Sequence, residues 1–244
     1  MKRWQGIASG VATAAPVDTA VESKYTPITP CRIVDTRNAG GKLAANTTRS
    51  YIAAGAGGFT PQGGASGGCG IPSAATAVQV TITAVSATGP GYLRAYPAST
   101  TAPGATFLNY TNTFNTSGSG SVTLGNSGGH DFKISNYVRA THVVVDVQGY
   151  YVKPMWALID GNGTVVKSSR VTHVSHPQGG WYTVDFDRDI SSCALTATPY
   201  YFGYSVQADL NSSGPSVTAN VTTTVVTAQG ATLSDAEVYV VATC

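Results

Sequence analysis

The sequence has 244 residues, enough for one large or two ordinary domains, each able to bury a core. Only 11% of residues are Asp, Glu, Lys or Arg and the net charge is +2, with no long Lys/Arg run, too little to imply a nucleic-acid groove; no apolar run approaches the roughly 18 residues of a membrane-spanning helix. Val, Thr and Tyr dominate the ordered-looking segments, so the expected class is all-β: two antiparallel β-sandwich or barrel-like domains behind an extended N-terminal arm.

The arm is residues 1–24. Met1-Lys2-Arg3, a Gly/Ala/Val-rich stretch and Ala12-Thr13-Ala14 together resemble a short signal peptide with an A-x-A cleavage site. Gln5, Gly6, Ser9 and Gly10 interrupt its apolar region, however. The other reading is a retained segment that docks on another subunit, with Trp4 as its anchor and Ile7 beside it.

Residues 25–153 read as a first domain. Val78 to Ala84 alternates, with Val78, Val80 and Ile82 toward a core and Gln79, Thr81 and Thr83 outward. The turn Thr88-Gly89-Pro90-Gly91 then predicts a hairpin with Tyr92 to Tyr96. Residues 55–70 are Gly-rich and read as a surface loop, and Asn115 to Gly129 as a similar segment holding a short strand from Ser121 to Leu124. Val143 to Val147 is a nearly continuous apolar run, hence a central strand.

Pro154 marks a boundary, and residues 154–244 read as a second, smaller domain. Met155 to Ile159 and Thr164 to Val166 flank Asp160-Gly161-Asn162-Gly163, a hairpin signal. Trp181 to Phe186, Ala194 to Tyr201, Val217 to Val226 and Glu237 to Ala242 read as further strands.

The four cysteines are Cys31, Cys69, Cys193 and Cys244, and none forms a C-x-x-C pair. Three pairings are open; the simplest is two local bridges, Cys31–Cys69 and Cys193–Cys244, which would imply an oxidising compartment, against four buried free thiols. Arg32, Asp35, Arg37 and Asp146 stand out because charge is scarce. Asp146, set between Val145 and Val147, reads either as a carboxylate forked by an arginine that locks the first strand to the last, or as an edge residue facing water.

Gly125-Asn126-Ser127-Gly128-Gly129 has the G-x-S-x-G form of a serine hydrolase, and Gly64-Ala65-Ser66-Gly67-Gly68 repeats it. All four histidines follow Ser127, the wrong order for a trypsin-like triad, and no strand-to-helix elbow follows. Asp160 could open a calcium loop, but Val171 stands where the closing Glu belongs, so a plain turn is expected. His173 and His176 have no carboxylate close by in sequence and read as exposed residues before a turn. No catalytic residue, cofactor or metal is expected. The candidate binding residues are aromatic: Tyr92, Tyr96, Tyr200, Tyr201 and Tyr204, which could stack on sugar rings or simply pack across strands.

The run from Tyr25 to Arg37 (YTPITPCRIVDTR), Cys69-Gly70-Ile71-Pro72, Gly91 to Ala98 (GYLRAYPA) and Val143 to Tyr151 (VVVDVQGYY) occur in order. In these motifs the first domain resembles modules of exported actinobacterial and myxobacterial surface proteins. Trp156 to Asp160, Phe186 to Ser191, Cys193 and Cys244 make the second domain similar to modules of exported or phage-encoded proteins. The resemblance implies surface display and carries no catalytic residues. The weak signal peptide adds a second route outward, release inside a virus particle. The expectation is therefore a non-enzymatic structural or adhesive protein, part of a virion (a phage decoration, fibre or tail component) docked through its arm. The alternative is a Sec-secreted, carbohydrate-binding adhesin of a bacterial cell surface. The expected partners are further copies of the chain, other structural subunits or a glycan, with no nucleic acid and no membrane span.

Overall fold

The computed structural model describes residues 22–211 and 216–244. Trp4 and Ile7 lie outside the described residues. The described chain is all-β: seventeen strands, one 3-10 turn and no α-helix, in four antiparallel sheets that stay open, so the architecture is sandwich and not barrel. No helix among the described residues is long and apolar enough to cross a membrane.

The N-terminal half contains β1 (Lys24–Asp35), β2 (Thr47–Tyr51), β3 (Ala75–Val85), β4 (Gly91–Pro97), β5 (Leu108–Tyr110), β6 (Thr116–Thr123), β7 (Phe132–Tyr137) and β8 (His142–Val152). One sheet has the order β1-β8-β3-β6 and the other β2-β7-β4-β5. Alternation decides which face is buried. Val78, Val80 and Ile82 enter the shared core with Val143, Val145 and Val147, opposite Leu93, Phe132 and Ile134 of the second sheet. Outward, Thr83 and Thr81 share hydroxyl hydrogen bonds with Ser117 and Ser119, and Ser121 donates to Gln79.

Three local expectations change. First, β3 and β4 form no hairpin: β3 already has β8 and β6 on its two sides, and the chain crosses to the other sheet. The Thr88 amide is tied instead to the Ala140 carbonyl at 2.9 Å. Second, the strand expected from Ser121 begins at Thr116, because Gly118 and Gly120 face inward and the Leu108 and Phe107 side chains fill the space that their missing Cβ atoms leave. Third, the Gly-rich loop is not merely surface. Phe59 is 1% exposed and belongs to the core, and the 3-10 turn Thr60–Gln62 follows it. Gly63, at φ +81°, passes so close to the Asp35 carbonyl that any Cβ would collide with it.

The C-terminal half contains β9 (Met155–Ile159), β10 (Val165–Ser169), β11 (Val171–Gln178), β12 (Trp181–Phe186), β13 (Ala194–Pro199), β14 (Tyr204–Leu210), β15 (Thr218–Thr227), β16 (Gly230–Leu233) and β17 (Val238–Thr243). Its sheets run β10-β9-β17-β13 and β11-β12-β15-β14, with β16 beside β15. A separate core unites Met155, Ala157, Ile159, Val238 and Val240 with Tyr182, Val184, Phe186, Ala219 and Val221. The β9–β10 turn is an Asx turn: Asp160 Oδ1 accepts the amides of Asn162 at 2.9 Å and Thr164 at 2.8 Å.

Candidate binding surface

The first charged cluster lies where β1 pairs with β8. Register places Arg32 opposite Asp146. Arg32 donates from Nε to Asp146 Oδ1 at 2.8 Å and from Nη2 to Oδ2 at 3.1 Å, a two-pronged fork. The fork is on the outer face: its side chains are 42% and 30% exposed. The buried carboxylate is Asp35, 1% exposed. Arg37 gives it two guanidinium hydrogen bonds, at 2.8 and 2.6 Å, and its own backbone N–H; Arg32 adds a fourth at 3.1 Å. The Arg37 hydrogen bonds outweigh the cost of burial and, with Arg32, hold the Asp35 carboxyl down at about 2. Next along the chain, Thr36 Oγ1 accepts the Val143 amide and meets His142 Nδ1 at 3.1 Å; burial pushes the His142 imidazole down. This cluster ties β1 to β8 and the segment that follows β1.

Both local disulfides are present. Cys31 joins Cys69 and Cys193 joins Cys244, and no described cysteine is free. The first ties the Gly-rich loop to β1 and the second ties the end of β17 to the turn before β13. Two disulfides are compatible with an oxidising, extracellular setting.

The candidate aromatics separate into two groups. Tyr92 and Tyr96 are built into the second sheet. Tyr92 lies opposite Tyr137 in register and stacks on it at 4.7 Å, with the Arg94 guanidinium 4.9 Å above the Tyr137 ring. Tyr96 is 6% exposed and its hydroxyl meets Ser135 Oγ at 2.7 Å. These two are cross-strand packing. Tyr204 opens β14 opposite Val225.

Tyr200 and Tyr201 stand free. Pro199 is the last residue of β13 and pairs with Val238, and the chain then turns through Gly203, at φ +91°, into β14 in the opposite sheet. The turn throws Tyr200, Tyr201 and Phe202 outward at 51%, 57% and 105% exposure. The Tyr200 amide donates to the Glu237 carbonyl at 2.8 Å, which anchors the turn to β17. Tyr200 meets Tyr201 edge-on at 4.9 Å and Tyr239 at 6.1 Å. The Glu237 carboxylate beside Tyr201 raises its phenol above the ordinary range. Along β17, Val238, Val240 and Ala242 fill the core, so Tyr239 and Val241 point the other way and continue the apolar strip from the turn. Phe202 and Tyr239 were missed from sequence: one reads as a turn residue, and the other joins the ridge only through the β13–β17 register.

The histidines found partners that lie far along the chain. His173 and Asp185 are register neighbours, 3.5 Å apart. His176 Nε2 meets Asp235 Oδ1 at 2.9 Å, and its ring stacks on Tyr182 at 4.7 Å. Asp235 Oδ1 also accepts the Gly180 amide. His176 is therefore packed and paired, while His173 remains exposed. His130, near Ser127, donates from Nδ1 to the Gly128 carbonyl.

Compared with known protein families, with curated proteins and with solved structures, the chain matches none.

Proposed function

We propose that this chain is a non-enzymatic structural and adhesive protein of an exported surface, virion or bacterial cell, and that its second domain holds a glycan against the ridge of Tyr200, Tyr201 and Phe202. The observation that carries the reading is the ridge itself: three consecutive aromatic side chains held out into water on a turn pinned to β17. Soluble chains seldom leave contiguous large apolar surface exposed without a partner for it. Aromatic faces match the C–H faces of sugar rings, and the Glu237 carboxylate beside Tyr201 offers an acceptor for sugar hydroxyls. Low charge, two disulfides and the motif resemblance of both domains to exported modules support surface display. Docking on a larger particle would fall to Trp4 and Ile7 of the arm, outside the described residues.

The test is a glycan array together with retention on insoluble cell-wall polysaccharides. The native chain is expected to be retained, and the double variant Tyr201→Ala/Phe202→Ala to lose at least tenfold in apparent affinity with an unchanged melting temperature. Failure of the native chain to bind any glycan, or equal retention of the double variant, would overturn the reading.

A further inference from the structure

A second site lies where the two domains meet, at the opposite end of β17 from the aromatic ridge. β8 ends at Val152 and β9 begins at Met155, so only Lys153 and Pro154 join the halves. Beside this joint is a cleft of about 370 Å³, floored by Tyr150, Val152 and Met155. The whole sequence has 14 Lys and Arg. Four of them, Lys24, Lys153, Arg170 and Arg188, line this one cleft, and among the described residues no Asp or Glu side chain lines it.

The four cations differ in what else they do. Arg170 is committed: it grips the Asp187 carboxylate, with contacts at 3.0 and 2.6 Å, and reaches the Lys153 carbonyl at 3.4 Å. It does so from a left-handed backbone conformation, φ +62°, which a non-glycine residue seldom adopts. Lys24 Nζ donates to the Cys244 carbonyl at 2.8 Å, and Cys244 is itself held by its bond to Cys193. Arg188 is exposed and donates from Nε to the Asp189 carbonyl at 3.2 Å, and its charge is felt by the Asp189 carboxylate; among the described residues its other guanidinium nitrogens make no hydrogen bond. Lys153 is half-buried, and its ammonium has no hydrogen bond or ion pair among the described residues. A half-buried cation without a partner, placed among like charges against an apolar floor, raises the local positive potential at the expense of stability.

We propose that this cleft binds an oxyanion, the carboxylate or phosphate of an acidic saccharide. Lys153 and Arg188 supply the direct contacts, Arg170 and Lys24 supply field and frame, and Tyr150 packs against the sugar. The volume suits a single sugar-sized unit. A planar guanidinium and a point-charge ammonium both recognise carboxylates and phosphates. The site shares no residue with the aromatic ridge and stands or falls without it.

The experiment is isothermal titration of the full chain at low ionic strength with two probes, trigalacturonate for the carboxylate and glycerol 3-phosphate for the phosphate. Saturable binding of at least one probe is expected, and the probe that binds identifies the anion. Arg188→Gln and Lys153→Gln should each weaken it at least fivefold, as should raising the salt. Lys133→Ala, a cation on β7 outside the cleft, and Tyr201→Ala/Phe202→Ala should leave it unchanged. Because Arg188 is exposed, its variant keeps the fold and the test does not hang on Lys153. Absence of saturable binding to both probes, or an equal loss in Lys133→Ala, would overturn the proposal.

Discussion

Replacing Asp35 with Asn keeps the shape of the side chain and removes its charge. The Asn oxygen can still accept the Arg37 amide that Asp35 Oδ1 accepts at 3.1 Å, but the side-chain amide cannot satisfy two guanidinium groups. The folded carboxyl sits at about 2 against an ordinary value of 3.8, which corresponds to roughly 2.5 kcal/mol of coupling between ionisation and folding. Arg32 and Arg37 are 42% and 46% exposed, so solvent screens part of that, and about 1–2 kcal/mol is the expected loss. Between pH 2 and 3.8 the unfolded chain binds more protons at this site than the folded chain. The contribution is therefore whole above about pH 5 and fades as pH falls through 3.8 toward 2. Urea unfolding followed by far-UV circular dichroism would measure it at pH 7 and pH 2. Trp156 and Trp181, both in the C-terminal half with its separate core, serve as an internal fluorescence control. Asp35→Asn should lower stability at pH 7, and the gap from the native chain should shrink at pH 2. An equal gap at both values, or none at pH 7, would refute the argument.

The outer fork should matter less: Asp146→Ala is expected to cost about 0.5–1 kcal/mol, not the 3–5 of a buried pair, because its partners are half in water, and a melting curve would show it. Phe59→Ala, in the loop that composition marks as surface, should cost about 3–5 kcal/mol in a denaturant titration; a loss below about 1 would mean the ring is not in the core. Opening either disulfide releases a loop spanning 38 or 51 residues and should destabilise by about 4 kcal/mol in the chain-entropy model. Non-reducing peptide mapping checks the pairing, and melting with and without reductant checks the magnitude.

Much of the sheet structure was legible locally. β3, β12, β15 and β17 show apolar positions at period two, and β8 shows a nearly continuous apolar run, as a strand flanked on both sides should. Several strands that escaped, in whole or in part, carry little apolar mass inward: the start of β6 turns glycines inward, β2 buries only Tyr51, and β11 holds two histidines and a proline. For these the burial that defines the strand is supplied by side chains from other elements, and no window of sequence contains them. β5 and β7 escaped although they bury Leu108, Tyr110, Phe132 and Ile134, because they are short and sit among turn-rich segments.

The sequence by itself determined the all-β class, the scarcity of charge and the prominence of Arg32, Asp35, Arg37 and Asp146, since these follow from residue identity and short-range periodicity. Tertiary structure alone decided which of those carboxylates is buried, which tyrosines are packed and which stand in water, and which acids meet His173 and His176. It also decided that four cations scattered from Lys24 to Arg188 line one cleft. Each of these depends on register between strands far apart in sequence. A shift of one residue in that register turns a side chain from one face of a sheet to the other.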